Sequence, residues 1–322
     1  MLPPSSRPAR QPPSSDAPDD VTMLDSTNPA KDLLADIDYT ITDRDHTPCR
    51  LSTIRALRAS VRSNLHNSLS DILTSHIYIG LVDPRRRIAA IQSGVKLLLI
   101  DYGLLSSGLF YQLGLTDFGN FGSIRLDPPL SLTALLSIAA AREAETTAEP
   151  DVDWEEIVAA VAEQLIGMRE MLAEYFSLEI SEQGEVMALP LLLRGYTPPM
   201  AKLPRFLLRL GPHVDWEDEQ SCFHSFLREM ASWYVPEPLP ALPTKEAVAT
   251  REAGAKEAGE QDGEEKAERD EMLAAQHELL ERQLEHVFFP AFKSRLLATK
   301  GMLKGVVEVA NLKGLYRVFE RC

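Results

Sequence analysis

The sequence predicts a mixed α/β (α+β) fold, on three observations. Apolar residues recur every three or four positions in several long segments, which is the helical period. Three short runs rich in Ile, Leu and Val lie close together, separated by turn residues, as neighbouring strands do. Apolar residues make up 44% of the 322-residue chain, enough for a sizeable core.

Residues 1–48 are rich in Pro, Ser and Asp and lack apolar periodicity, so they read as disordered linker. In "LSTIRALRASVRSNLHNSLSDILTS", Ile54, Leu57, Val61, Leu65 and Ile72 fall near one helical face. The period then changes. "HIYIGLVD", "RIAAIQ" and "KLLLID" read as strands, with Ser93-Gly94 as a tight hairpin between the last two. "LLSSGLFYQLGL" reads as a helix despite Gly108.

Further on, Asp153 and Glu156 have the spacing of a capping box ahead of "DWEEIVAAVAEQLIGMREMLAEYF". The stripe Trp154, Ile157, Val161, Leu165, Met168, Leu172 and Tyr175 marks the core face of that helix. "SLEISEQGEVMALPLLL" alternates around Gly184 and suggests two strands. "DWEDEQSCFHSFLREMASWYV" is a second capped helix, with Asp215 followed by Asp218. Residues 236–268 open with Pro236, Pro238, Pro240 and Pro243 and continue through Ala, Glu, Lys and Gly; they read as a disordered acidic insertion. A last helix is expected from about Glu271 to Leu297.

The formal charge is −15, which argues against a dedicated nucleic-acid grip. Two local exceptions are Arg55, Arg58 and Arg62 at helical spacing, and the run Arg85, Arg86, Arg87. They are either solvated surface or auxiliary DNA contacts. No run of 18 apolar residues exists, and the first twenty residues hold no apolar core of a secretory signal. Cys49, Cys222 and Cys322 are few, odd in number and widely spaced, which fits a reducing compartment better than a disulfide framework.

Most enzyme signatures are missing: there is no Gly-rich phosphate loop, no G-x-S-x-G and no CxxC pair. Cys222 and His224 stand two apart on a predicted helix and point to nearly opposite sides. "DRDHTPC" carries metal-binding residue types but borders the linker. His277 and Glu281 are one turn apart, yet two ligands do not make a site. Cys322, the last residue, reads on its own as a dangling thiol behind Phe319.

"FYQLGLTDFGNFGSIRL", "MLAEYFSLEI", "LPLLLRGYTPP", "LPRFLLRLGPHVDWEDEQ" and "NLKGLYRVFERC" occur in this order. Together they resemble the C-terminal domain of the MutL homologue 1 family, the mismatch-repair subunit shared by eukaryotic MutL heterodimers. The resemblance runs from about residue 50 to the end. It implies a dimerisation part from about 49–149 and 269–322, with an inserted subdomain at about 150–235. In the family a GHKL-type ATPase domain and a long linker precede this domain, so the chain is expected to begin within that linker.

The resemblance also implies a function. Nuclease relatives carry D-Q-H-A-x-x-E at a strand-to-helix junction. Here Asp101 matches the Asp, while Tyr102, Gly103 and Leu104 replace Gln, His and Ala, and Ser107 replaces the Glu. The partner motif C-P-H-G-R is absent. The expectation is therefore a non-catalytic subunit with no cofactor of its own. It would pair with a Pms-type MutL homologue and complete that partner's zinc site in trans through Cys322. The crowding of Phe110, Tyr111, Phe118 and Phe121 suits an interface. By resemblance, Phe110, Gln112, Leu113, Phe118, Phe121, Phe319 and Arg321 are expected to face the partner. Trp216 and Glu219 are expected to receive basic-aromatic peptides of an exonuclease and other repair factors. DNA would be met through the complex, in the nucleus, with no membrane involved.

Overall fold

The computed structural model describes residues 38–42, 47–146, 152–242 and 260–311. Among the described residues, two antiparallel four-stranded sheets pack with ten α-helices. In order, the elements are β1 (Asp38–Thr42), α1 (Ser52–Ser63), α2 (Asn67–Ser75), β2 (Ile77–Asp83), β3 (Ile88–Ser93), β4 (Lys96–Asp101), α3 (Tyr102–Thr116), β5 (Gly122–Ser131) and α4 (Leu132–Thr146). There follow α5 (Trp154–Gly167), α6 (Arg169–Phe176), β6 (Glu179–Ile180), β7 (Glu185–Leu191), α7 (Leu203–His213), α8 (Glu219–Tyr234), α9 (Glu260–Gln283), α10 (Phe289–Arg295) and β8 (Val306–Asn311). One sheet runs β2-β3-β4-β8 and the other β1-β5-β7-β6.

α3 lies at the centre. Ten of its fifteen residues are buried, so it carries no polar stripe. Ala89, Ile91, Leu98 and Ile100 form the inner face of the first sheet and are buried beneath the helices. The second sheet carries Ile124, Leu126, Val186 and Leu189 into the same core. A bidentate pair between Arg209 and Glu229, with Nε–Oε2 at 2.6 Å, ties α7 to α8.

The structure amends several sequence expectations. The first helix is two helices, because the chain breaks at Asn64–His66. There His66 Nδ1 accepts from Leu69 N and caps α2, while Leu65 bridges to Thr299. The hairpin loop is Gly94-Val95, with Ser93 paired to Lys96 and Gly94 at φ +58°. Asp153 caps α5 as the spacing predicts, accepting from Glu155 N and Glu156 N, but the helix breaks after Gly167 and leaves Met168 exposed. Asp218 is the cap of α8; Asp215 serves the turn before it, accepting from Glu217 N.

Two segments read as disordered are partly ordered. Residues 38–42 of the expected linker form β1, paired along its length with β5. Within the expected insertion, residues 236–242 lie against the domain, with Leu239 N donating to Pro84 O. The last helix begins at Glu260, inside that same stretch. A π turn at Leu284–Phe288 separates α9 from α10. It stands where Pro290 can donate no hydrogen bond to the preceding turn. The expected subdomain boundary near residue 150 falls between α4 and α5, which pack on each other. Residues 243–259 and the terminal segment from residue 312 lie outside the described residues.

Candidate protein-interaction site

The junction of β4 and α3 is built as a helix cap. Asp101 Oδ1 accepts the Leu104 N–H at 2.9 Å, satisfying one of the open donors of the first turn. Tyr102 N donates to Arg87 O at 2.9 Å, and the Tyr102 ring is fully buried. Burial pushes its phenol well above the usual range. A Cβ on Gly103 would stand 2.6 Å from Arg87 Nε, so the glycine leaves room for that side chain.

Further along α3 the structure corrects the expected interface. Phe110, Gln112, Leu113, Phe118 and Phe121 are all buried within the chain itself. Phe110 packs against Tyr196, Tyr234 and Phe288. Phe118 sits among Tyr175, Phe176 and Phe223. Gln112 Nε2 donates to Leu297 O at 2.9 Å, and its Oε1 accepts Leu297 N at 2.8 Å. The aromatic surplus that suggested a contact surface is consumed by a core that two sheets and several helices share. Phe319, Arg321 and Cys322 lie outside the described residues.

A bare apolar surface lies elsewhere, on the outer face of the β2-β3-β4-β8 sheet. Antiparallel register places Gly80, Ala90, Leu99 and Val307 in one row, and Ile77, Gln92, Leu97 and Ala310 in the next. Ile77 is 63% exposed, Ile79 53%, Val82 52%, Val307 57% and Val309 51%. Ile77 and Val307 stand in these rows, while Ile79, Val82 and Val309 sit at the register shifts of the two edge strands; exposed β-branched residues in such number mark a contact surface. Sequence reading missed it, because a strand pattern does not say which of its two faces the helices cover.

The expected peptide site is divided. Trp216 is half-buried and donates from Nε1 to Leu210 O at 3.0 Å, which anchors the turn before α8. Glu219 opens α8, is exposed, and accepts from Thr53 Oγ1 at 2.6 Å. Asp218 caps the same helix; hydrogen bonding from Ser221 N holds its carboxyl below the usual range. Nearby is a cleft of about 530 Å³ lined by Thr47 to Leu51, Phe118, Gly119, Asn120, Glu174 and Tyr175. Asn120 clasps Thr47 from both ends of its amide. Burial and then the charges of Glu174 and Glu219 push the Tyr175 phenol up, and of these two carboxylates Glu174 lines the cleft itself. In the sequence Tyr175 reads as part of a core stripe, Cys49 as the end of "DRDHTPC", and Glu174 is not singled out; only their convergence in space reveals the cleft.

Among the described residues, no group of three or more His, Cys, Asp or Glu side chains could hold a metal ion. Cys222 is buried, and burial, with Asp215, Asp218 and Glu219, pushes its thiol up to about 11. His224 turns instead to Tyr111, with Nδ1 2.7 Å from the hydroxyl.

Residues 50–322 match the family model described as DNA mismatch repair protein Mlh1 C-terminus. The chain belongs to this family. It is 39% identical over 292 residues to DNA mismatch repair protein MLH1 of Saccharomyces cerevisiae, covering 88% of this chain and 35% of that protein. It is 33% identical over 308 residues to the putative MutL protein homolog 1 of Schizosaccharomyces pombe, covering 94% and 40%. To DNA mismatch repair protein Mlh1 of Dictyostelium discoideum it is 31% identical over 280 residues, covering 87% and 30%. The chain thus spans between 30% and 40% of the length of these relatives. The mixed α/β architecture with two antiparallel sheets is consistent with a MutL C-terminal domain.

Proposed function

We propose that the chain is the non-catalytic heterodimerisation and scaffold part of a DNA mismatch-repair MutL complex, and that it pairs with a Pms-type endonuclease subunit in the nucleus. The observation that carries this reading is the exposed apolar face of the β2-β3-β4-β8 sheet. A stable heterodimer needs an apolar core of this kind within an interface of about 1,600 Å². The junction supports the non-catalytic part. The Asp101 carboxylate is committed to the Leu104 N–H, and neither Tyr102, Gly103, Leu104 nor Ser107 offers an imidazole or second carboxylate. Two-metal hydrolysis needs several such ligands at one point.

In this reading Cys322 supplies a thiolate to zinc held mainly by the partner. The test is co-purification of the chain with a Pms-type C-terminal domain, followed by zinc analysis of each species. A stoichiometric complex with zinc, and a zinc-free chain when purified alone, is the expected result. Failure to associate, or stoichiometric zinc on the chain alone, overturns the reading.

A second activity rests on a different observation, the cleft bordered by Phe118 and Tyr175 with Glu174 and Glu219 nearby. We infer that it receives peptides from an exonuclease and other repair factors in which a basic residue precedes aromatic ones.

A further inference from the structure

The chain carries 48 acidic and 33 basic residues, yet several of its segments hold cations and no carboxylate, and the fold brings two of these together. Residues 47–70 contain Arg50, Arg55, Arg58 and Arg62, with no Asp or Glu. Residues 286–307 contain Lys293, Arg295, Lys300 and Lys304, again with no Asp or Glu. The fold joins them. Leu65 pairs with Thr299, His66 N donates to Ala298 O at 2.9 Å, and Lys300 N donates to Asn64 O at 2.9 Å.

Three of these cations have structural partners, and one of them, Lys293, donates from Nζ to His76 O at 3.2 Å. Arg58 donates to Leu115 O and Thr116 O, and so closes the C-terminus of α3. Arg295 pairs with Asp117 at 2.7 Å, neutralising the acid beside Arg58. Arg55, Arg62, Lys300 and Lys304 are exposed and make no side-chain hydrogen bond or ion pair among the described residues. The segment from Leu297 to Gly305 runs back along α3, from Gln112 past Gly108 to Leu104. That helix has fifteen residues and is about 22 Å long. Lys300 and Lys304 are therefore spread along one helix and are not gathered at one point.

We propose that this surface, formed by α1 and the segment after α10, is a contact for the phosphate backbone of duplex DNA. Unpaired cations spread in this way suit a polyanion that presents a charge every ~1.7 Å of its axis better than they suit one acidic side chain. The net charge of −15 keeps the contact weak and confined to this face. α1 packs on α3, which covers the inner side of the first sheet, so the contact stays open when the outer face is occupied.

The test is fluorescence anisotropy of a short labelled duplex with the full chain over a salt series beginning at about 50 mM. The native chain should bind with an affinity that falls as salt rises. The variant Arg55→Glu, Arg62→Glu, Lys300→Glu should lose affinity roughly tenfold or more and flatten the log–log salt slope by about 2.7. The milder Arg55→Gln, Arg62→Gln, Lys300→Gln variant should show the same direction while keeping the native melting temperature. Reversal of Arg85 and Arg86 should change nothing. Absence of duplex binding at the lowest salt, or binding unchanged in both triple variants, overturns the proposal. Polyglutamate binding through the same residues more tightly than duplex also overturns it, and makes the surface one for an acidic protein.

Discussion

Gln112 ties α3 to the segment after α10 with both ends of one amide, bonded to the N–H and the carbonyl of Leu297. Replacing it by Leu keeps the volume but leaves two backbone groups without partners. Each buried orphan costs about 1–3 kcal/mol, so Gln112→Leu should lower the stability of the isolated chain by about 2–4 kcal/mol. Denaturant unfolding of the chain alone checks this; a native midpoint, with loss only of partner binding, would return Gln112 to the interface. Glu219 gives the opposite expectation. It is exposed, so Glu219→Ala should leave folding and pairing intact. It should weaken a basic-aromatic peptide by about 1 kcal/mol, roughly fivefold, by calorimetry. An unchanged peptide affinity would move the docking site away from this carboxylate. What the sequence could reveal at this scale was chemistry carried by one residue, such as the Asp153 cap. The roles of Arg58 and Gln112 depend on carbonyls 57 and 185 residues away and leave no local pattern.

At the scale of elements, β2 and β8 are the edges of one sheet, and both carry exposed β-branched residues. Their alternation was legible as strand, but its outward phase was not, since Ile77, Ile79 and Val307 look like core residues until the helices are placed. The aromatic run in and after α3 misled for the same reason in reverse: its density suggested a surface and built a core. Helix breaks were hidden where a cap came from outside the repeat, as with His66. Ordered segments were missed where pairing is non-local, as with β1 on β5. The pairing role of the outer face can be tested directly. Ile79→Lys with Val307→Lys alters side chains that are already solvated, so the isolated chain should melt within a few degrees of native. Partner binding should fall by at least about 2 kcal/mol, a loss of roughly thirtyfold, because each lysine would be buried unpaired. Undiminished co-purification of the double variant would exclude this face.

At the scale of the whole molecule, the described fold ends at β8, on the edge of the same sheet whose outer face is bare. The segment from residue 312 onward therefore departs from the proposed interface. Residues 312–322 can span at most about 40 Å, which suffices to bring Cys322 onto a partner seated there. This geometry separates two contributions of the tail. Leu315, Tyr316, Val318 and Phe319 carry its apolar area, while Cys322 carries a soft ligand of the type zinc prefers. Cys322→Ala should leave the chain's melting temperature and heterodimer yield unchanged, since the last side chain of a chain adds little to either. Zinc content of the heterodimer should drop, because water does not replace a thiolate equally well, and nicking should fall at least roughly tenfold. Metal analysis and plasmid nicking on the purified heterodimer decide the matter. Full zinc with full nicking would show that the thiol is no ligand, whereas loss of the heterodimer itself would show that Cys322 acts in pairing and not in metal binding.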